Sequence, residues 1–417
     1  MKKQNQLLCL IGLIIFLSCN QKKKSEFYLP AEWEVQSGVI AGGLDDTSTF
    51  ELVTRLSKES KVYCLIVDSL EEIYKKKLLD AGSNIDSIEF MPSARDFSYA
   101  QRDGIMFLKN EEGKKQIIDF AWNSYGWYFK PEYKDYLEND KKKRKEYSAI
   151  HFNKFPYSII NSEMVNEGGA IETNGKGTIL QVESVNMQRN PGMSKEVQEA
   201  ELKKVLHAKK VIWLKEGAAE DPFGWGTLIA KNYFGIGVLG HLDEFCRFVN
   251  ENTILISFPD SAEAATDPVK KLTLERMKVN YDILKKSTDQ DGKPFTIVKM
   301  PVPDNDYMTF ALDTSNKNDE IKFLSKQILY EQKNFSTGDT VHFVPSSSYL
   351  NFLITNKTVF EAKYWSEGKP ETSKAKDELA KQILQRYFPD KKIYQINTVK
   401  TNHNGGGLHC WTMQIPK

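Results

Sequence analysis

Cys410 follows three consecutive glycines, Gly405 to Gly407, and stands beside His409 in the stretch NHNGGGLHCWTMQI. Glycines allow close approach of backbone and ligand, and a thiol so placed is a candidate nucleophile. Metal binding is the competing use. His403, His409 and Cys410 have no Cys-x-x-Cys partner, so a structural zinc site is not expected. Upstream, GIGVLGHLDEFCR sets His241 and Asp243 just after a glycine, and NEGGAIETNGKGT carries Glu167. A thiol, an imidazole and carboxylates are the groups that covalent and acid–base catalysis needs. Each also has a plainer use. His241 could be a hydrogen-bonded structural histidine, Asp243 and Glu244 the solvated acids of a turn, and Glu167 a cap for Gly168-Gly169. His403 and His409 read as structural or surface histidines.

Gly235, Gly237 and Gly240 also fit the dinucleotide pattern G-x-G-x-x-G. That pattern binds a pyrophosphate only where a helix opens on the glycines. Here they lead into HLDEFCRFVNENTILISF, which is β-rich with a turn at Asn250 to Asn252, and no helix is expected to begin at Gly240. The glycines instead read as a loop approaching His241.

The elements that must position these groups recur along the chain. EGGAIETNGKGTILQVESV is a strand pair around Asn174-Gly175, a dipeptide suited to the positive φ angles of a tight hairpin. GIMFLKNEEGKKQIIDFAW, LDEFCRFVNENTILISF and NFLITNKTVFEAKYW have the same strand–polar turn–strand form. SLEEIYKKKLLDAG, PGMSKEVQEAELKKVLHA and SKAKDELAKQILQRYFPD have helical spacing. In the last, Leu379, Ile383 and Tyr387 share a face and Pro389 stops the helix. A reactive or hydrogen-bonding group precedes or opens each strand pair: Asp96, Glu167, His241 with Asp243, and Asn351, while Cys410 closes the series. The pattern predicts an α/β chain whose strand starts meet at one site.

Lys plus Arg (57) nearly balance Asp plus Glu (56) in 417 residues, which gives no reason to expect a nucleic-acid partner. The run KDYLENDKKKRKEY reads as solvated surface. Residues 1–18 place Lys2 and Lys3 before the apolar run Leu7 to Leu17, a secretory signal shorter than the roughly 20 apolar residues of a spanning helix. FLSC resembles a bacterial lipobox, making Cys19 the lipidated residue and 19–27 a tether. The expected location is therefore the bacterial cell envelope, on a lipid anchor. Cys64 and Cys246 lie in apolar strands and read as core.

Taken together, EGG, GHLDEF and GGGLHCWT resemble the guanidino-group-modifying (pentein) superfamily. Within it the sequence is most similar to the agmatine deiminase and Porphyromonas-type peptidyl-arginine deiminase family. YLPAEWEVQSGVIAG, QRNPGMSKEVQEAEL, KKVIWL and SSSYLNFLITNKTVF extend the resemblance over nearly all of 28–417. It implies one catalytic domain over 28–417, a five-module α/β propeller of ββαβ-type units around a central site. It also implies hydrolysis of a guanidinium to a ureido group plus ammonia, without metal or organic cofactor. Cys410 would be the nucleophile, His241 the acid and base, and Glu167 its partner. Asp96 and Asp243 would clamp the guanidinium, and Asn351 would support the cysteine or the substrate.

Two departures from the family pattern stand out. The usual W-x-R-D is replaced by Ser93-Ala-Arg95-Asp96, and a second Arg-Asp, Arg102-Asp103, follows it. Asp96 is the preferred match because it follows the strand-like SIEFMPS and precedes an aromatic and a small residue. The approach to His241, PFGWGTLIAKNYFGIGVL, is longer than the family's. The expected substrate is arginine in a peptide, since export places the protein away from cytosolic agmatine. Agmatine or another small guanidine, amidino transfer to an amine, and a non-catalytic surface-binding role are the alternatives.

Overall fold

The computed structural model describes residues 26–93, 101–128, 133–304 and 306–417. One strand pattern occurs five times among them: an antiparallel pair, then a third strand parallel to the second. Met106–Lys109, Lys115–Ala121 and Ser158–Val165 form one such sheet. Glu172–Thr173, Thr178–Val182 and Lys210–Leu214 form the next. Cys246–Asn250, Thr253–Ser257 and Thr296–Met300 follow, then Leu353–Ile354, Thr358–Lys363 and Lys392–Asn397. In the fifth, Thr412–Pro416 runs antiparallel to Gln36–Ala41, which is parallel to Val62–Ile66, itself parallel to Ile88–Pro92. The two ends of the described chain thus close the ring of modules.

Parallel strands need a long crossover, and helices supply it. Thr47–Leu56, Lys134–Lys154, Lys195–Val205, Pro268–Lys286 and Glu371–Tyr387 lie between the parallel pairs. Local chemistry sets their starts. Asp46 accepts from Ser48 and Thr49 N–H, while Asp267 caps a helix that opens on Pro268. The expected hairpin at Asn174-Gly175 is present, with Gly175 at φ +70° and Asn174 Oδ1 accepting from Lys176 and Thr178 N–H.

Three local expectations are corrected. On Glu371–Tyr387 the buried stripe runs through Asp377, Ala380 and Leu384, and Leu379 is 47% exposed. Asp377 turns the helix this way, because its carboxylate accepts from Tyr349 O–H (2.6 Å) and from Tyr364 and Trp365 N–H. The charged run 134–147 is not wholly solvated, for Arg144 and Tyr147 are buried and Arg144 pairs with Asp119 at 2.6 Å. A single helical turn, Leu242–Phe245, does follow Gly240, all four of its residues buried.

A sixth sheet lies outside the fivefold pattern. Phe223–Ala230 and Tyr233–Val238 form a hairpin, Tyr233–Val238 runs parallel to Thr340–Val344, and Met308–Ala311 completes the sheet. Phe234, Ile236, Phe310, Leu324, Ile328 and Phe343 give it a core of its own, covered by helix Asp319–Glu331. Its first hairpin is the long approach to His241.

Candidate active site

The strand starts converge as the sequence predicts. Glu167 stands before the short turn Gly168–Ala170, His241 and Asp243 begin Leu242–Phe245, and Asn351 precedes Leu353–Ile354. Cys410 comes just before Thr412–Pro416. The corresponding place before Met106–Lys109 is held by Asp103, on the short helix Gln101–Gly104. Asp96, the carboxylate preferred from sequence, lies outside the described residues, as does Cys19. Asp103, His241, Asp243, Glu244 and Cys410 all line one cleft of about 760 Å³ that opens to solvent.

Cys410 Sγ lies 3.1 Å from Asn351 Nδ2, 3.5 Å from Asp243 Oδ2 and 3.7 Å from Glu244 Oε1. Asn351 holds the loop as well, its Oδ1 accepting from His409 N–H (2.8 Å) and Cys410 N–H (3.3 Å). The glycine run has the use expected of it. Gly406 has φ +78°, and a Cβ there would come within 3.1 Å of Cys410 Sγ.

His241 Nε2 meets Glu167 Oε2 at 3.2 Å, and Arg189 Nε donates to Glu167 Oε1 at 2.7 Å. Gly169 makes room for the imidazole, since a Cβ there would lie 2.5 Å from His241 Nδ1. The backbone of His241 is pinned from below, for Asp221 accepts from Val238, Gly240 and His241 N–H at 2.6–3.0 Å.

Two carboxylates are placed for a cation. Asp103 Oδ1 accepts from Gly169 N–H at 2.9 Å and Oδ2 from Tyr125 O–H at 2.8 Å. Asp243 Oδ2 is engaged by His409 Nδ1 at 2.8 Å, while Asp243 Oδ1 is buried without a hydrogen-bond partner among the described residues. A buried carboxylate oxygen left unpaired is costly, and a bidentate N–H donor would satisfy it.

The charges set protonation. Burial opposes a charged His241, but Asp103, the Glu167 hydrogen bond and Asp243 overcome it and raise its pKa to about 9. Burial pushes the Cys410 thiol well above its ordinary value, and Asp243 and Glu244 push it further. Burial likewise raises Asp103 and, together with Asp243 and Asp221, Glu244. Burial disfavours charge on Asp243 too, yet His409 and His241 hold it ionised below the usual carboxylate range. An empty site therefore has a protonated imidazole and a protonated thiol.

Several site residues were not singled out from sequence. Glu244, read as a possible turn acid, is buried and accepts from Asn351 Nδ2 at 2.8 Å. Glu32, inside the quoted PAEW, receives Arg102 Nη1 at 2.9 Å, Arg247 Nη2 at 2.5 Å and His409 Nε2 at 2.7 Å. His409 is accordingly a buried bridge between Glu32 and Asp243, while His403 stacks on Phe343. Asp243, Glu244 and Cys410 also offer three ligand atoms within 4.8 Å of one another, the group that could hold a metal ion among the described residues.

Comparison with known proteins gives the family. The sequence model of the Porphyromonas-type peptidyl-arginine deiminase family matches residues 29–416. The chain belongs to that family. Members of this deiminase family are hydrolases acting on C–N bonds of amidines. Its curated relatives include proteins of Selenomonas ruminantium (408 aligned residues) and Streptococcus mutans (410), both provisionally named agmatine deiminase. Each is 26% identical, with 94% of this chain and 97% of the relative covered. Among solved structures, the agmatine deiminase of Enterococcus faecalis superposes with TM-score 0.68 at 23% identity, covering 94% of this chain and 96% of that one. A protein of Porphyromonas gingivalis provisionally named arginine deiminase gives 0.66 at 22%, covering 94% and 99%. These likenesses identify the fold as the pentein-type α/β propeller.

Proposed function

We propose that this protein hydrolyses the guanidinium of an arginine side chain in a peptide to a ureido group, releasing ammonia. The observation that carries the chemistry is the cleft lined by the Cys410 thiol, His241 backed by buried Glu167, and the half-paired Asp243 carboxylate. The planar cation binds between Asp103 and Asp243, each taking N–H donors in its plane. Its charge offsets the two acids that raise the Cys410 thiol, so the thiol gives up its proton to solvent water as substrate enters and thiolate forms. Sulfur adds to the guanidinium carbon, with Asn351 Nδ2 donating to it. His241, held protonated, gives its proton to the departing ammonia and leaves an S-alkylthiouronium. Neutral His241 then takes a proton from water as the oxygen attacks, and collapse of the adduct forms the ureido carbonyl as its hydroxyl proton passes to the departing sulfur and restores the thiol.

The peptide is favoured by the cleft, which is wide and open compared with what a four-carbon guanidine fills. Agmatine is the second reading. It is supported by the names of the Selenomonas and Streptococcus relatives, which weigh on this side more than on the peptide's. The deciding assay measures ureido product and ammonia from agmatine, free arginine, an internally blocked arginine peptide and a C-terminal arginine peptide. Turnover of blocked peptide is the expected result, and turnover of agmatine alone replaces it with the second reading. Cys410→Ser is expected to lower kcat by about 10⁴-fold or more, and appreciable residual rate removes Cys410 as nucleophile.

Export on a lipid anchor at Cys19 is part of this proposal, resting on residues 1–19. Palmitate labelling of cells expressing the full chain is expected to be lost in Cys19→Ala. Equal labelling of both would remove the anchor.

A further inference from the structure

The sixth sheet forms part of the active-site wall. Trp225, Ile236, Gly237 and Val238, all from its first hairpin, line the same cleft as His241 and Cys410. The hairpin is fixed to the catalytic ring at defined points. Asp221 staples its base to His241, Arg189 Nη2 donates to Val238 O at 2.6 Å, and Trp127 Nε1 donates to Gly237 O at 3.2 Å.

A run of aromatic rings leads outward from the catalytic histidine along this wall. Tyr125 lies 6.0 Å from His241 between ring centroids, Trp127 lies 5.1 Å from Tyr125, and Trp225 lies 5.7 Å from Trp127. Phe323 extends the run, 5.6 Å from Trp225 and edge-on to it. The outer two rings are not used by the sheet's own core: Trp225 is 42% and Phe323 43% exposed. Adjoining exposed rings, continuous with a reactive cleft, mark a contact surface for a ligand and not scattered surface apolarity.

Reach decides which part of a substrate meets them. Tyr125 hydrogen-bonds Asp103, so the guanidinium lies at the inner end of the run. With bonds near 1.5 Å, an arginine side chain spans about 6 Å from guanidinium carbon to Cα, comparable to one 5.1 Å or 5.7 Å step between the rings, so a side chain laid along this wall sets its Cα near Trp127. Whatever is joined beyond the Cα lies against Trp225. The ammonium of a small diamine-type guanidine would meet one ring at most, and an exposed cation–π contact gains only about 0.5–1 kcal/mol. Two further rings suit an extended apolar group.

We infer that Trp127 and Trp225 form a substrate subsite that takes the aromatic or apolar residue adjoining the arginine of a peptide. This rests on the hydrolase reading above and names the substrate class within it.

The test compares kcat/KM for acetyl-Phe-Arg-Phe-amide, acetyl-Gly-Arg-Gly-amide and agmatine. Wild type is expected to favour the Phe-flanked over the Gly-flanked peptide by about fivefold to tenfold, the worth of one or two aromatic contacts. Trp225→Ala should bring that ratio close to one, Trp225→Phe should keep most of it, and Phe323→Ala should lower it less. An unchanged ratio in Trp225→Ala, or an equal loss on agmatine and on the Phe-flanked peptide, overturns the subsite. The same ratio is read without turnover from dissociation constants on Cys410→Ala by calorimetry. Absence of turnover on every substrate with the binding preference intact overturns the hydrolase reading alone, whereas equal affinities overturn the subsite.

Discussion

Asp103 and Asp96 differ in a way that one experiment resolves. Asp103 receives Gly169 N–H and Tyr125 O–H and lines the cleft with Cys410. Asp103→Asn is therefore expected to lower kcat/KM by about 10²-fold or more, since a charged guanidinium loses one of its two carboxylates. Asp96→Asn is expected to change it far less, and the reverse order would return the clamp to Asp96. A pH profile tests the imidazole. His241 keeps its proton to about 9, so kcat/KM should fall above that value. Burial raises Asp103, so the acid limb should lie above the ordinary carboxylate range. Glu167→Gln removes a group that holds the proton on His241, and the alkaline limb should move to lower pH; an unmoved limb would assign it to another group. The same raised pKa stabilises the fold fully below the unfolded value of 6.5, and that contribution is lost as pH rises through about 9.

At the scale of elements, the hairpins were legible because their turns are written locally, as at Asn174-Gly175, where the Asn side chain closes the loop it sits in. Glu167, His241, Asn351 and Cys410 stand before strand starts as expected, while the place before Met106–Lys109 is held by Asp103, which the sequence offered only as a second Arg-Asp. What local pattern missed depends on partners far along the chain. Leu379 looked like core and is exposed, because Asp377 is held inward by Tyr349, Tyr364 and Trp365. Asp377→Ala is expected to destabilise the fold by about 3 kcal/mol by leaving these donors unpaired, read as a lower urea midpoint at constant slope. A midpoint unchanged within error would make the carboxylate incidental. The role of Glu32 was equally hidden, since Arg102, Arg247 and His409 reach it from three separate stretches. The sixth sheet needed Tyr233–Val238 to find Thr340–Val344, a pairing no short-range signal specifies.

At the scale of the whole molecule, a fivefold repeated scaffold stands beside a sixth sheet that lies outside the repeat. The ring of modules brings Asp103, His241, Asp243, Glu244 and Cys410 to the cleft, and the sixth sheet lines another part of it with Trp225, Ile236, Gly237 and Val238. Ring closure has a consequence in time. Cys410 and the strand Thr412–Pro416, which pairs with Gln36–Ala41, follow every other site residue in the sequence. During synthesis Cys410 leaves the ribosome after Asp103, His241, Asp243 and Asn351. A ribosome-bound fragment lacking Cys410 and Thr412–Pro416 has neither this thiol nor the strand that seals the ring, so the two arrive together.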